Sequence, residues 1–301
     1  MQLTRRRVLG LALAASSSAV LRAPARARAA GEVSDDRALF WTFGSGPSAS
    51  TIFGYSRIAA SLVPDIVDEG TKQATAAKRV IQDFPSSVAL PAIKLDPSLP
   101  PVIGKLDAKT ADAFRAVLQQ SFPKFLPTVD KMPGVEATML LLADGQTPPN
   151  PTVGGTIVAH ALQAGRPSTI LISDAELRGM VSPSSLTAFD KRIGQDTIAY
   201  LLDLRAKDGP IGRQFDQLYA ARRGGDAHGL AGGLARRGAF GPAQLFNGDA
   251  IKVILAGRLE AALKANEADS AFVVLPLDGL VGGDGILAAL RKAGNTVTAA
   301  A

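Results

Sequence analysis

The sequence contains no cysteine and only two histidines among its 301 residues. The lack of cysteine excludes disulfides, thiolate catalysis and cysteine-based metal sites. Neither His160 nor His228 belongs to a recognisable metal-ligating motif, because such a site usually takes three or four donors from histidine, cysteine and carboxylates. No serine lies in a Gly-x-Ser-x-Gly sequence, so a Ser-His-acid triad is not expected. We expect His160 half-buried on a helix and His228 in a solvated loop.

A strongly apolar run near the N-terminus is also missing. Residues 9–21 are only mildly apolar and rich in serine and alanine, whereas a membrane span takes about 20 strongly apolar residues. This run follows the pair Arg5 and Arg6 and precedes Ala27-Arg28-Ala29, whose small residues suit a signal peptidase. The arrangement is typical of a twin-arginine export signal.

We therefore expect residues 1–29 to engage the twin-arginine translocation machinery and to be cleaved near Ala29, which delivers the protein to the periplasm. Retention of the signal as an anchor is the alternative. No stable membrane span is expected in residues 30–301.

The basic character of the sequence comes from this signal. The formal net charge is +6, from 33 basic and 27 acidic residues. Six arginines and no acidic residue lie in 1–29, so the rest of the chain holds 27 residues of each sign. A net charge near zero gives no support for binding to nucleic acid.

Residues 30–301 are expected to form a single domain of alternating strands and helices. Two β-rich runs, 37–43 and 50–55, flank a Gly-Ser-Gly-Pro-Ser turn and predict a hairpin. A strand is predicted at 79–84, and the portion from about 175 to 245 is predicted to be helical and rich in loops. The alternation favours an α/β (mixed α+β) fold with a central mixed β-sheet flanked by helices.

The last part of the chain, 272–297, predicts a buried strand, a glycine-rich turn, a short helix and a return strand. In α/β proteins the loop at the carboxyl end of a strand commonly holds the ligand. Asp278 and Asp284 lie here among glycines, without histidine, cysteine or serine. We therefore expect the frame of a site with few reactive side chains.

Two segments carry a resemblance to a known family. They are Thr51-Ile-Phe-Gly-Tyr-Ser-Arg-Ile58 and Ala271-Phe-Val-Val-Leu-Pro-Leu-Asp-Gly-Leu-Val-Gly-Gly-Asp-Gly-Ile286. Their order and setting resemble the TraB/GumN family, relatives of the TIKI metalloproteases. In that family a first strand ends in Gly-Thr-x-His, a second ends in Glu, and the last leads into Gly-x-x-His, a glycine-rich turn and a helix. The resemblance covers most of residues 30–301 in layout and is specific at the C-terminal unit.

The positions that carry the family's chemistry are altered in this chain. Gly54 matches the first glycine, but Arg57 stands in place of the first histidine, and Asp83 replaces the glutamate with a shorter carboxylate. Pro276 and Gly279 stand in place of the second glycine and histidine. The resemblance therefore implies a divergent member that lacks both motif histidines, and no cofactor is expected.

The resemblance nominates two sets of residues. The candidate cleft residues are Arg57, Asp83 and Asp278. The candidate ligand-binding residues are Gly54, Asp174, Asn247, Gly282, Asp284 and Gly285. Arg57 beside Asp83 and Asp278 predicts either an ion-pair network that closes the cleft or an anion-recognition site. We favour the network, because a buried arginine needs a carboxylate partner.

The leading expectation is an exported periplasmic protein that is catalytically inactive and acts as a binding or accessory protein in the cell envelope, with a partner that the sequence does not identify. The first alternative is an active metal-dependent hydrolase of peptidase type, whose carboxylates would favour Mg, Ca or Mn as the divalent metal ion. The second is a small-molecule receptor, which would need a large apolar cleft.

Overall fold

The structure is a computed structural model that describes residues 35–84, 98–176, 183–238, 248–265 and 268–300. The strands are β1 (Phe40–Phe43), β2 (Ser50–Tyr55), β3 (Arg79–Gln82), β4 (Ser168–Ile170), β5 (Ala271–Pro276) and β6 (Val297–Ala299). The helices are α1 (Pro64–Ala76), α2 (Ala108–Ser121), α3 (Gly134–Ala143), α4 (Val153–Gln163), α5 (Pro183–Asp190), α6 (Gln195–Asp208), α7 (Ile211–Ala220), α8 (Gly224–Arg236), α9 (Gly248–Lys264), α10 (Leu277–Leu280) and α11 (Ile286–Lys292). The strands form one mixed sheet flanked by helices, which confirms the predicted fold class.

The sheet has the strand order β4-β3-β5-β2-β1-β6. β1 and β2 pair antiparallel with Phe40 opposite Phe53, which confirms the predicted hairpin. β2, β5, β3 and β4 run parallel to one another. Because parallel strands end at the same side of a sheet, the segments that follow these four strands lie along one edge, which we call the carboxyl edge.

The buried apolar side chains form two clusters. The first surrounds the sheet, contains the fully buried Trp41 and takes in side chains from α1, α4, α9 and α11. The second is helical and is drawn from α2, α3, α6, α7, α8 and the segments between α2 and α3. Among the described helices, none combines the length and the apolar character needed to cross a bilayer.

Local sequence signals account for several of these elements. Asp107 caps α2, because its carboxylate accepts a hydrogen bond of 2.7 Å from the backbone amide of Thr110, as its position ahead of the apolar face predicts. The glycine-rich composition of residues 222–237 favours a flexible loop. Most of this segment instead forms α8, because burial of Ala227 and Leu234 compensates for the low helix propensity of its glycines.

Candidate functional site

Three polar side chains converge at the carboxyl edge, and we call them the acid cluster: Tyr55, Asp83 and Asp278. Tyr55 is the last residue of β2, Asp83 follows β3 directly, and Asp278 lies in the first turn of α10, just after β5. The backbone of Asp83 is held on both sides, since its amide donates to the carbonyl of Val274 and its carbonyl accepts from the amide of Ile172. The sheet itself therefore positions the cluster.

The central contact of the cluster is a hydrogen bond from the Tyr55 hydroxyl to Oδ2 of Asp83, over 2.7 Å. Asp83 is only 4% exposed. Burial raises the pKa of the Asp83 carboxyl to about 7, although the hydrogen bonds from Tyr55 and from the backbone amide of Phe84 oppose the shift. The carboxyl group therefore exists in both protonation states near neutral pH.

Asp278 and Tyr55 share this environment. Burial raises the pKa of the half-buried Asp278, while backbone amides and the charges of His228 and Lys252 act in the opposite direction. Burial also raises the pKa of the Tyr55 hydroxyl, and the charges of Asp83 and Asp278 add to that effect. The three groups are thus close enough to influence one another's protonation.

His228 approaches this edge from α8. Its Nδ1 is buried and has no hydrogen-bond partner among the described residues. A Cβ atom on Gly282 would lie 2.9 Å from its Nε2, and Gly282 has a φ of +95°. Glycine is therefore required at 282 both by the backbone conformation and by the closeness of the imidazole ring. The expectation of a solvated loop for His228 is wrong, because the residue belongs to a packed helix.

An ion pair and a shallow depression lie beside the glycine turn. Lys252 on α9 pairs with the largely exposed Asp284 over 2.8 Å, and the hydrogen bond from Lys252 lowers the pKa of Asp284. The depression has a volume of ≈ 260 Å³ and is lined by Lys252, Val253, Asp284, Gly285, Ile286 and Ala289. This volume is below the range of about 300–1,000 Å³ that is usual for small-molecule sites.

Asp83 and Asp278 lie at the same edge of the sheet, but Arg57 forms no ion pair with either of them. Arg57 is exposed, and its guanidinium makes no ion pair or hydrogen bond with any residue that the structure describes. In the chain it lies two residues beyond Tyr55. The favoured ion-pair network is therefore wrong. The network was expected because a buried arginine needs a carboxylate partner, and this reason does not apply to an arginine that is exposed to solvent.

The remaining predicted residues lie around the same edge or outside the described chain. Gly54 is buried beneath Trp41, Leu277 and Leu280. Asp174 is half-buried beyond β4, which neighbours β3. Gly282, Asp284 and Gly285 form the glycine turn, where a Cβ on Gly285 would lie 2.3 Å from the carbonyl oxygen of Leu280. Asn247 lies outside the described residues.

The sequence reasoning missed Tyr55, His228 and Lys252. Tyr55 lies in the segment 51–58 that carries the family resemblance, but nothing local indicates that its hydroxyl meets Asp83, 28 residues further on. His228 and Lys252 act on Asp278 from 50 and 26 residues away, and only the assembled fold brings such positions together.

Within the described ranges, no group of three or more histidine, aspartate or glutamate side chains is arranged to hold a metal ion. Comparisons with protein-family models, with curated proteins and with solved structures found no match to this chain.

Proposed function

We propose that this chain is an exported periplasmic protein with a TraB/GumN-like frame, and that it acts as a binding or accessory protein of the cell envelope through the carboxyl edge rather than as a hydrolase. The hydrogen bond between Tyr55 and Asp83 is the observation that carries the proposal. Through this bond Asp83, the one carboxylate that matches a residue of the family motif, is engaged by the neutral hydroxyl of Tyr55.

The altered motif positions support the same proposal. Arg57 stands in place of one motif histidine, and a guanidinium cannot be deprotonated into a metal ligand in proteins. Gly279 stands in place of the other, is buried in α10 and has no side chain to offer. The carboxyl edge thus keeps polar groups that can recognise a ligand without the pair of histidines that the family's hydrolysis would use.

The test combines a binding measurement with metal and activity assays on purified residues 30–301. We expect oligosaccharides or peptides derived from the cell envelope to raise the melting temperature of the wild type and to have little effect on Asp83→Asn. Asp65→Asn is the matched control, because Asp65 is an exposed carboxylate on α1. Stoichiometric retention of a divalent ion that Asp83→Asn abolishes, together with peptide hydrolysis, would contradict the proposal.

A second candidate function is hydrolysis with Asp83 as the proton-transferring group. The specific observation in its favour is the burial of the Asp83 carboxyl against the Tyr55 hydroxyl. This burial raises the pKa of Asp83 to about 7, and a group that transfers protons works best near the operating pH. Its metal ion, if one is used, would be held by oxygen ligands of the carboxyl edge, and this chemistry favours Mg, Ca or Mn. Hydrolysis with a pH dependence that Asp83→Asn removes would favour this candidate.

Export is tested separately from the site. Residues 1–34 fused to a folded reporter should direct it to the periplasm of a bacterium with a twin-arginine pathway. Replacing Arg5 and Arg6 by lysine should block that transport, because the pathway reads the arginine pair. Replacing Arg26 and Arg28 by lysine is the control. Unchanged transport after the first replacement would contradict the assignment of the route.

A further inference from the structure

We infer that two copies of this chain associate through β4, whose open edge pairs antiparallel with the same edge of a second copy about a two-fold axis at Thr169. The inference is independent of the proposed function and concerns the lateral edge of the sheet. β4 is the outermost strand on its side of the sheet. All of its residues are exposed, and the exposed fraction of Ile170 is 44%.

The hydrogen bonds between β4 and β3 show which backbone groups of β4 remain open. The carbonyl of Pro167 and the amide of Leu171 both bond to β3. Because the bonding groups of alternate residues in a strand face the same neighbour, those of Thr169 face β3 as well. The amides and carbonyls of Ser168 and Ile170 therefore point away from the sheet, and no residue that the structure describes bonds to them.

β4 is short, but it lacks the charges and the outward-facing proline that commonly keep edge strands from pairing. Residues 167–173 contain no charged side chain. Pro167 stands at a position that faces β3, so its missing N–H does not interrupt the outward row. At the opposite edge of the sheet, by contrast, the carbonyl of Val297 in β6 accepts a hydrogen bond of 2.9 Å from Nε of Arg291. Of these two edges, β4 is the one that is open to another strand.

A second copy is the partner that this edge fits, because its open groups are arranged symmetrically about Thr169. A two-fold axis at Thr169 places Ser168 of each copy opposite Ile170 of the other, in antiparallel orientation. An antiparallel pair of this type exchanges both of its backbone hydrogen bonds. Every open amide and carbonyl of β4 then has a partner, and the two six-stranded sheets are joined into one.

The side chains of β4 suit the same register. Thr169 lies opposite its own counterpart as a non-hydrogen-bonded pair, where the side chains are closest and threonine pairs are favourable. On the other face, the two Ile170 side chains lie diagonally across the axis, within reach of each other. Leu162, in the last turn of the helix that leads into β4, is also 43% exposed. Pairing would thus bury apolar surface that the single chain exposes.

Sedimentation velocity on residues 30–301 measures the association, from about 1 µM to about 1 mM, a range that suits a small interface. We expect the mean mass to rise from that of a monomer towards that of a dimer as the concentration increases. Over the same range, the amides of Ser168 and Ile170 should become protected from hydrogen exchange. The amide of Thr169 should be protected at every concentration, because it faces β3 within the monomer.

Charge variants test the position of the axis. Thr169→Lys and Thr169→Glu each place two like charges directly opposite one another, so each should weaken association about tenfold or more. An equal mixture of the two variants should recover the dimer, because opposite charges then meet across the axis. Thr298→Lys and Thr298→Glu are the matched controls, since Thr298 is an exposed threonine on the other edge strand, and they should associate as the wild type does.

A cross-link provides a second measurement that does not depend on how well the charged variants fold. The chain contains no cysteine, so Thr169→Cys introduces a single thiol at the axis. Directly opposite residues of a non-hydrogen-bonded pair are close enough for a disulfide after small adjustments. Mild oxidation should therefore convert Thr169→Cys into a covalent dimer much faster than Thr298→Cys.

The inference is overturned if the wild type remains monomeric at about 1 mM, if substitutions at 169 and 298 weaken association equally, or if the mixture of opposite charges does not recover the dimer. It is also overturned if the amides of Ser168 and Ile170 become protected only when an extended peptide is added, since the edge would then receive a foreign strand. Each of these results leaves the proposed function unchanged, because none of them involves the acid cluster.

Discussion

The hydroxyl of Tyr219 donates a hydrogen bond of 2.9 Å to the carbonyl oxygen of Gly54. The two residues are 165 positions apart, and both are buried. Gly54 directly precedes Tyr55 in β2, so α7 is attached to the strand that carries the acid cluster. This contact joins the helical part of the chain to the sheet at the point where the candidate site is formed.

Replacing Tyr219 by phenylalanine should remove this bond and leave most of the ring packing intact. We expect the free energy of unfolding to fall by about 1–2 kcal/mol, because a buried carbonyl loses its partner. Urea unfolding of residues 30–301 measures the change. Tyr200→Phe is the control, since the Tyr200 ring, which packs under the guanidinium of Arg237, is kept. Equal losses in the two variants would show that the Tyr219 hydroxyl contributes nothing specific.

The packing around Gly54 leads to a second prediction. A Cβ at this position would lie 2.8 Å from Cδ1 of Leu277 and 3.1 Å from Cζ3 of Trp41. Gly54→Ala should therefore overpack the core under the acid cluster and lower the free energy of unfolding by about 1–3 kcal/mol. The same urea experiment measures it.

Gly257→Ala is the matched control for this substitution. Gly257 lies inside α9 with open space at its Cβ position, so alanine should stabilise the protein by up to about 1 kcal/mol through helix propensity. If Gly54→Ala were also neutral or stabilising, the close packing of β2 against α10 would be refuted.

Local patterns in the sequence were sufficient for much of the fold. The hairpin of β1 and β2 and the N-cap at Asp107 each depend on residues that are close in sequence. α8 was missed because its glycines disfavour a helix, and only tertiary burial of Leu234 overrides that preference.

The candidate site was partly predictable for the same reason. Asp83 and Asp278 follow strands, and residues that follow parallel strands meet at one edge, so their proximity was implied by the strand assignments. The Tyr55 hydrogen bond, the approach of His228 to Gly282 and the exposure of Arg57 depend on side-chain directions and on helix docking. No local pattern encodes these, and the ion-pair network was wrong because it assumed that Arg57 is buried.

The raised pKa of Asp83 predicts how stability depends on pH. The native state holds a proton on Asp83 up to about pH 7, whereas the unfolded chain releases it near pH 4. This contribution to stability is therefore complete below about pH 4 and is lost as the pH rises to 7, with a slope of up to about 1.4 kcal/mol per pH unit. Asp278, whose pKa is also raised, acts in the same direction.

Urea unfolding at pH 5, 6, 7 and 8 measures this dependence. We expect the free energy of unfolding of the wild type to fall between pH 5 and pH 7 and then to level off. Asp83→Asn should show a flatter profile, because the amide does not titrate. Asp112→Asn, which changes an exposed carboxylate on α2, should retain the wild-type slope. A wild-type profile that rises from pH 5 to pH 7 would show that Asp83 is ionised in the native state.

Arg222 combines a strained backbone with ion pairs, and two substitutions separate their effects. It has a φ of +54° and follows Ala221, the C-cap residue of α7. Its amide donates to the carbonyl of Tyr219, and the amide of Arg223 donates to the carbonyl of Leu218. This is the helix-terminating pattern in which glycine is usual, because other residues incur a steric cost there. Its guanidinium pairs with two carboxylates of α1, with Glu69 over 2.6 Å and with Asp65 over 3.4 Å.

Arg222→Ala should lose the ion pairs and keep the strain, so the free energy of unfolding should fall by about 0.5–1 kcal/mol at low salt, and by less when salt screens the pairs. Arg222→Gly loses the same pairs but removes the strain, so it should be about 1 kcal/mol more stable than Arg222→Ala. Glu69→Gln removes the stronger pair alone and should resemble a weak version of the alanine variant. If the alanine variant were as stable as the glycine variant, the left-handed conformation at 222 would carry no cost, and the ion pair with α1 would be the only reason for arginine at this position.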